Sequence, residues 1–367
     1  MNSNRAFREF INAAMCDRLG VAAWFLPGQE RLNMLVSEQY EIEIIGTIPD
    51  ISNRKGFVFA PFQNNPHHPI VLLRPGKIFS GTDIFHQLPA EPELPGFVTN
   101  QPEYRETTRE EHLANCRAII GKIKKGDAEK VVLSRIKKMT GNKHPAEMLL
   151  QMKSCYPGAF CYLFSAPQTG LWLGATPETL FAEEDGLVKT MALAGTRPHR
   201  SKSGTKRPWG EKELQEQQFV TDFIAGEIEK LGINHIEISE PVTVKAGNIE
   251  HIRTDIAVNL HDEGISSGKI ITALHPTPAV CGLPRDAALR IIRETENHER
   301  AYYTGFLGPL NLHRETSLFV NLRCMQWADD SLTIFAGGGI TAASVPEDEW
   351  DETEMKTGVM EKVISGK

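Results

Sequence analysis

The stretch KVVLSRIKKM, residues 130–139, decides how the rest of the chain is read. Val131, Val132 and Ile136 are β-branched, which suits a pleated, packed surface, so the stretch is predicted as a strand. Strand-like runs recur at 158–166, 170–175, 187–194, 236–246, 316–327 and 331–336. Helical patterns fall at about 145–154, 209–231, 284–296 and 347–364. Strands and helices do not alternate strictly, so the expected class is α+β, a large antiparallel sheet covered by helices. Upstream, Leu113, Cys116, Ile119, Ile120 and Ile123 mark one face of a further helix. The first hundred residues read as a helix followed by the strands GVAAWFLP, RLNMLVS, GFVFAPF and HPIVLLRP. The proline-rich LPAEPELPGFVTNQPEYRE, from Leu88, reads as a linker between this N-terminal layer and the remainder.

Composition narrows the function. The 367 residues carry a net charge of −7 with no basic block, which argues against a nucleic-acid partner. No apolar run reaches the roughly 18 residues needed to cross a bilayer. The N-terminal MNSNRAFREFINAAMCDRLG has charges at Arg5, Arg8 and Glu9, and reads as an amphipathic helix instead of a signal peptide. Six cysteines without a C-x-x-C pair suit a reduced, cytoplasmic protein. His67 and His68 have no acidic or cysteine partner at ligand spacing, so an ordinary polar loop is expected there.

Several stretches do not look like plain core. Lys130 heads its strand, where an edge lysine is the ordinary reading. In LGATPETLF, Glu178 follows Pro177 between apolar flanks. MALAGTRP ends a strand in the small residues Ala194, Gly195 and Thr196. In EKELQEQQFVTDF, Glu213 and Glu216 share a face with Val220, and a buried acid there needs a cationic partner or a metal. FAGGGIT offers the backbone N–H groups of Gly337, Gly338 and Gly339 as an anion cradle. FVNLRCMQW points Arg323 out of an apolar strand, as carboxylate recognition requires. In PEDEWDETEMK, residues 346–356, Glu349, Glu352 and Lys356 share one helical face, which is either solvated or turned to a cation.

The ordered succession KVVLSR, GATPE, ALAGTRP, KELQEQQ, ALHPTPAVCGLPR, FVNLR, FAGGGIT and PEDEWDETEMK resembles the chorismate-utilising enzymes, over about residues 105–365. That family comprises isochorismate, salicylate, anthranilate and aminodeoxychorismate synthases. The resemblance implies one domain across residues 1–367, with 1–100 as its variable N-terminal portion. Two large antiparallel sheets would pack face to face with helices outside. It also implies Mg²⁺, with Glu216, Glu349 and Glu352 as metal ligands, Lys356 completing an anion site, and Glu347 and Asp348 left in solvent.

By the same resemblance the substrate is chorismate, a dicarboxylate. Mg²⁺ would take the ring carboxylate. Arg323, Tyr303 and the Gly337–Gly339 backbone would take the enolpyruvyl carboxylate. His251 would hydrogen-bond near the ring, or serve as a structural histidine. Glu178 matches the general acid for the departing C4 hydroxyl, and Lys130 the base that activates water at C2, a role that requires the neutral amine. Ala194 stands where aminodeoxychorismate synthases have lysine, and Ala279 where anthranilate synthases have threonine. Both leave room for water, and Leu193 adds an apolar wall. The resemblance is therefore closest to isochorismate synthases, with salicylate synthase or a non-catalytic chorismate binder as alternatives, and no glutaminase subunit is expected. AGGGIT in place of AGAGI and Cys281 in place of a smaller residue depart from the family pattern. Oligomeric state and the pathway served stay open.

Overall fold

The computed structural model describes residues 2–81, 104–141, 143–199, 208–246, 249–260, 264–328 and 331–366. Most of the proline-rich stretch from Leu88 lies outside the described residues. The described strands form two antiparallel sheets. The nine-stranded sheet runs in the order Gly282–Leu283, Lys130–Thr140, Ser331–Thr341, Cys324–Ala328, Gly170–Thr176, Phe160–Ala166, Gly20–Phe25, Leu32–Ser37 and Lys77–Gly81. The ten-stranded sheet runs Ile236–Ile238, Ile249–Asn259, Leu187–Pro198, Thr179–Glu184, Glu315–Val320, Phe306–Leu310, Gly56–Ala60, Ile70–Leu73 and Ile42–Ile45. Val242–Ala246 is its tenth strand, also paired with Ile249–Asn259. Strands from the N-terminal hundred residues thus pair into both sheets, Gly20–Phe25 on Phe160–Ala166 and Gly56–Ala60 on Phe306–Leu310.

Side-chain alternation explains the layering. Successive residues of a strand point to opposite faces, so a strand covered on both sides must be apolar throughout. In Gly20–Phe25, Ala22 and Trp24 enter the inter-sheet core, whereas Val21, Ala23 and Phe25 enter the layer under the helices Asn2–Cys16, Pro145–Cys155 and Pro346–Ser365. In Gly56–Ala60, Phe57 and Phe59 face the inter-sheet core, and Val58 and Ala60 pack toward Glu211–Lys230 and Ser267–Leu274. Rings join the two sheets, with Phe160 stacked on Phe319 at 4.1 Å between centroids. Arg109–Lys124 and Arg285–Thr295 cover the Lys130–Thr140 edge through Ile119, Ile123, Ile291 and Ile292. Among the described residues no helix is long and apolar enough to cross a membrane.

Two sequence expectations change. The run 316–327 is two strands, Glu315–Val320 in the ten-stranded sheet and Cys324–Ala328 in the nine-stranded one, because the chain turns at Asn321–Arg323. The run 236–246 is likewise two short strands, both laid against Ile249–Asn259, a strand that the sequence reading did not separate out. The helix Ser267–Leu274 and the strands Ile42–Ile45 and Lys77–Gly81 were not anticipated either.

Candidate active site

Two neighbouring crossovers create the site. Gly170–Thr176 of one sheet continues through Pro177-Glu178 into Thr179–Glu184 of the other. Beside it, Glu315–Val320 continues through Asn321–Arg323 into Cys324–Ala328 in the opposite sense. The two crossings are tied together: Val320 N donates to Glu178 O (3.0 Å) and Ala175 N donates to Arg323 O (3.0 Å). Glu178 and Arg323 therefore meet at the seam between the sheets. Asn321 fixes the second corner, accepting from the Tyr162 hydroxyl (2.5 Å) and donating to Tyr302 O (2.8 Å). Arg323 takes a φ of 45°, uncommon for a residue with a side chain and maintained by these bonds.

The cleft at this seam is lined by Glu178, Ala194, Gly195, Thr196, Glu216, His251, Ala279, Tyr303, Arg323, Gly337 and Lys356 from the sequence-derived set. Glu178 is 3% exposed. Burial pushes its carboxyl up to about 8, against the opposing pull of Lys130, Arg323 and Lys356, so it holds its proton at neutral pH. His251 is driven down to about 3 by burial first and then by Arg323, and is neutral. Its Nδ1 lies 2.9 Å from Gly195 O and its Nε2 3.4 Å from Arg323 Nη2. The carbonyl can only accept and the guanidinium only donate, which assigns the proton to Nδ1 and leaves Nε2 as acceptor. Burial holds the Tyr303 hydroxyl well above its usual range, so it stays a donor.

Gly195 carries a φ of 69° at the register shift between Ala194 and Thr196, and a Cβ there would approach Glu213 Cβ to 3.1 Å. Ala194 is held from behind by Gln217, whose Oε1 accepts from Ala194 N (2.9 Å) while Nε2 donates to Ala192 O (3.0 Å) and to Thr254 Oγ1 (3.1 Å). Gln217 was missed by sequence reasoning, although a polar residue on the apolar stripe of KELQEQQ was a signal. Thr304 and Phe335 also line the cleft, and nothing in their local sequence marks them.

Lys130 is completely buried and does not line the cleft; its Nζ is bonded to Glu216 Oε1 at 2.8 Å, behind the carboxylate that does. The edge-lysine reading is thereby excluded. Gly337, Gly338 and Gly339 lie inside a regular strand, paired with Ser134, Leu133 and Val132, and none has a positive φ. They continue the strand to Thr341 instead of ending it, and Gly337 lines the cleft. Their missing side chains make room: a Cβ would come within 3.0 Å of the Tyr303 hydroxyl at Gly337, 3.3 Å of Glu349 Oε2 at Gly338, and 2.9 Å of Glu216 Oε1 at Gly339. The Gly337 carbonyl accepts from Lys356 Nζ (2.8 Å).

The expected metal trio does not converge as arranged. Among the described residues no three His, Cys, Asp or Glu side chains gather as a ligand set. Glu216 is ion-paired with Lys130 (2.8 Å) and Glu352 with Lys356 (2.6 Å), so lysine ammonium groups already balance two of the three carboxylates. Glu349 is 1% exposed beside the glycine strand. Glu347 and Asp348 are exposed, as expected for the solvent side of this helix. His68 bonds to Glu299 (2.7 Å) in its polar loop.

The sequence and the fold are similar to those of known proteins. The isochorismate synthase DhbC of Bacillus subtilis is 30% identical over 257 residues, 66% of this chain and 64% of that protein. Anthranilate synthase component 1 of Aquifex aeolicus is 28% identical over 293 residues, 77% of this chain and 58% of that one. The chain thus spans less than two thirds of the length of these relatives. The menaquinone-specific isochorismate synthase MenF of Escherichia coli shares the fold, with a TM-score of 0.75 at 18% identity, over 98% of this chain and 91% of that one. Anthranilate synthase component I of Streptococcus pneumoniae shares it with a TM-score of 0.70 at 16% identity, over 94% and 92%. With residues 82–365 matching the description "chorismate binding enzyme", the chain belongs to the chorismate binding enzyme family.

Proposed function

We propose that the protein converts chorismate to isochorismate, adding water at C2 of the ring and expelling the C4 hydroxyl. The observation that carries this reading is the buried Glu178, protonated at neutral pH, in a cleft that it lines together with Arg323, Lys356 and the apolar Leu193, Ala194 and Ala279. A protonated carboxyl can donate to a departing hydroxyl, which leaves as water. Arg323, Lys356 and the Tyr303 hydroxyl suit the two carboxylates of the substrate. Neutral His251, with Nε2 open as an acceptor toward Arg323, orients that guanidinium. Lys130 is the base in this reading, a role that requires the neutral amine. Its ion pair with Glu216 closes it off from the cleft, so Glu216 must take the ammonium proton and give way before Lys130 can accept one from water.

A bare wall at Ala194 and Ala279 offers nothing to guide ammonia, so water is the nucleophile and no glutaminase subunit is needed. The relatives named isochorismate synthase support the same choice. Incubation with chorismate followed by chromatography tests it. Isochorismate alone is expected. Salicylate with pyruvate would assign the elimination as well, and aminated product with ammonium salts would overturn the choice of nucleophile.

Mg²⁺ belongs to the proposal through the hard oxygens of Glu216, Glu349 and Glu352, which suit that ion chemically. As arranged they do not form its site, and no proton transfer above depends on it. Binding would require Glu216 and Glu352 to exchange their lysines for the cation. A rise in melting temperature with Mg²⁺ but not with K⁺, in the absence of substrate, would support this, and Glu349→Gln should abolish the rise. No shift at millimolar Mg²⁺ would remove the metal from the proposal.

A further inference from the structure

Behind the cleft, Arg300 is 4% exposed and every one of its nitrogens is engaged. Nε donates to Glu296 Oε2 (2.9 Å) and Nη2 to Glu296 Oε1 (2.6 Å), a two-pronged ion pair. The remaining donors leave that partner and reach the walls of the cleft. Nη1 donates to Val280 O (2.8 Å) and Nη2 to Val132 O (2.7 Å), with Thr304 Oγ1 at 3.4 Å from Nη1. The guanidinium lies 4.4 Å from the centre of the Phe62 ring, and Glu296 also accepts from Ser134 N (2.7 Å).

These partners are not neighbours in sequence. Val132 stands two residues from Lys130 on the same strand face, and Val280 follows Ala279. Both valines line the cleft, as does Thr304. One planar cation therefore spans the strand that carries the proposed base and the loop that borders the proposed water position. A buried ion pair is a poor device for stability alone, because apolar residues of similar size usually serve as well. A rigid fork with fixed donor directions is a good device for holding two backbones at a set spacing.

We propose that Arg300 is a positioning residue for the water-addition step, acting through the spacing between Val132 and Val280 and locked in its own orientation by Glu296. It touches no substrate. The inference rests on the reading of the protein as an isochorismate-forming enzyme.

Arg300→Lys keeps the charge but cannot reach both carbonyls. Its turnover number for isochorismate formation should fall at least thirtyfold, with KM for chorismate changed less than threefold. Glu296→Gln keeps an acceptor for the guanidinium but loosens it, and should lower turnover about three- to tenfold, again at unaltered KM. A purely structural role would tie turnover to stability. Ile271→Val, in the core outside the ten-stranded sheet, serves as the control: assayed well below its melting temperature, it should keep wild-type turnover. If Arg300→Lys keeps turnover within twofold, or if it does not fold and Glu296→Gln keeps turnover within twofold, the proposal is wrong. A KM rise that accounts for the whole loss would also overturn it, since it would make Arg300 a substrate-site determinant. If the wild-type protein consumes no chorismate, the functional reading fails first and this inference with it.

Discussion

The cleft residues fall into an ionic set and a bare set, which are built on opposite principles. In the ionic set the groups are interlocked: Glu216 with the buried Lys130, and Lys356 with Glu352 and with the Gly337 carbonyl. In the bare set Leu193, Ala194 and Ala279 present only carbon, and the backbone behind Ala194 is satisfied by Gln217. The difference teaches where each kind of mutation acts. Removing one member of an interlocked pair strands its partner in a poorly hydrated place. Changing the bare set alters volume and little else. The ionic set is therefore expected to be intolerant and the bare set permissive.

The largest effect is expected at Lys130. Lys130→Ala removes the proposed base and leaves the Glu216 carboxylate without its lysine, so turnover should drop at least about a hundredfold, the lower end for a general acid–base group. Chorismate should still bind in equilibrium titration. Turnover within a few-fold of wild type would move the base elsewhere and weaken the contrast between the two sets.

Glu178→Gln comes next, with a loss of about a hundredfold. Its pH signature is more telling. The acid must carry its proton, so wild-type turnover should decline as pH rises through about 8. Stability carries the same sign. The folded carboxyl keeps its proton up to about 8, whereas the unfolded chain loses it near the ordinary carboxylate value of 4.5. Between those values the native state binds more protons, so this group's contribution to stability diminishes as pH rises. Glu178→Gln, which has no such linkage, should gain melting temperature relative to wild type between pH 5 and pH 8.5. An unchanged difference across that range would mean that Glu178 is already ionised.

Arg323→Lys should act on binding. The guanidinium fork is lost at a residue whose φ of 45° fixes where the side chain emerges. A lost charge-assisted hydrogen bond is worth about 1.5–3 kcal/mol, so KM for chorismate should rise about tenfold or more, with a smaller fall in turnover. The reverse pattern, turnover lost at constant KM, would assign Arg323 to the chemistry.

How much of this was legible beforehand follows from the range of each signal. The Lys130–Thr140 strand was readable because its β-branched residues are a local pattern. So was the Pro346–Ser365 helix, from its periodicity. The corner at Arg323 was not, since the apolar run through FVNLRCMQW continues across it and the turn is imposed by bonds to Tyr162, Tyr302 and Ala175 from distant strands. The glycines of FAGGGIT were recognisable as special from their backbone N–H groups, whereas the room that their missing side chains leave for Tyr303, Glu349 and Glu216 depends on partners distant in sequence. Ile249–Asn259 alternates Ile252, Thr254, Ile256 and Val258 toward the core, a signal that was present and went unused beside His251. Arg300 acts on backbone carbonyls, which have no sequence signature, and Gln217 on a carbonyl and an amide, so only its polar place on the apolar stripe of KELQEQQ marked it.

The smallest effect is expected at Ala279, and it probes the permissive set. Ala279 is only partly buried and lines the cleft next to Val280, whose carbonyl Arg300 holds. Ala279→Thr adds a methyl and a hydroxyl at a place that already meets the cleft, so the fold should survive with little change in melting temperature. Isochorismate formation should stay within about threefold of wild type, far from the general acid–base losses expected at Lys130 and Glu178. The added hydroxyl gives an incoming amine a hydrogen-bond partner at a position where alanine has none. With ammonium salts, traces of aminated product are therefore expected from the variant and none from the wild type, read by mass spectrometry of the product mixture. A hundredfold loss in Ala279→Thr would show that the bare set is as exacting as the ionic one. Amination by the wild type would show that access of ammonia, and not the bare wall at Ala194 and Ala279, sets the nucleophile.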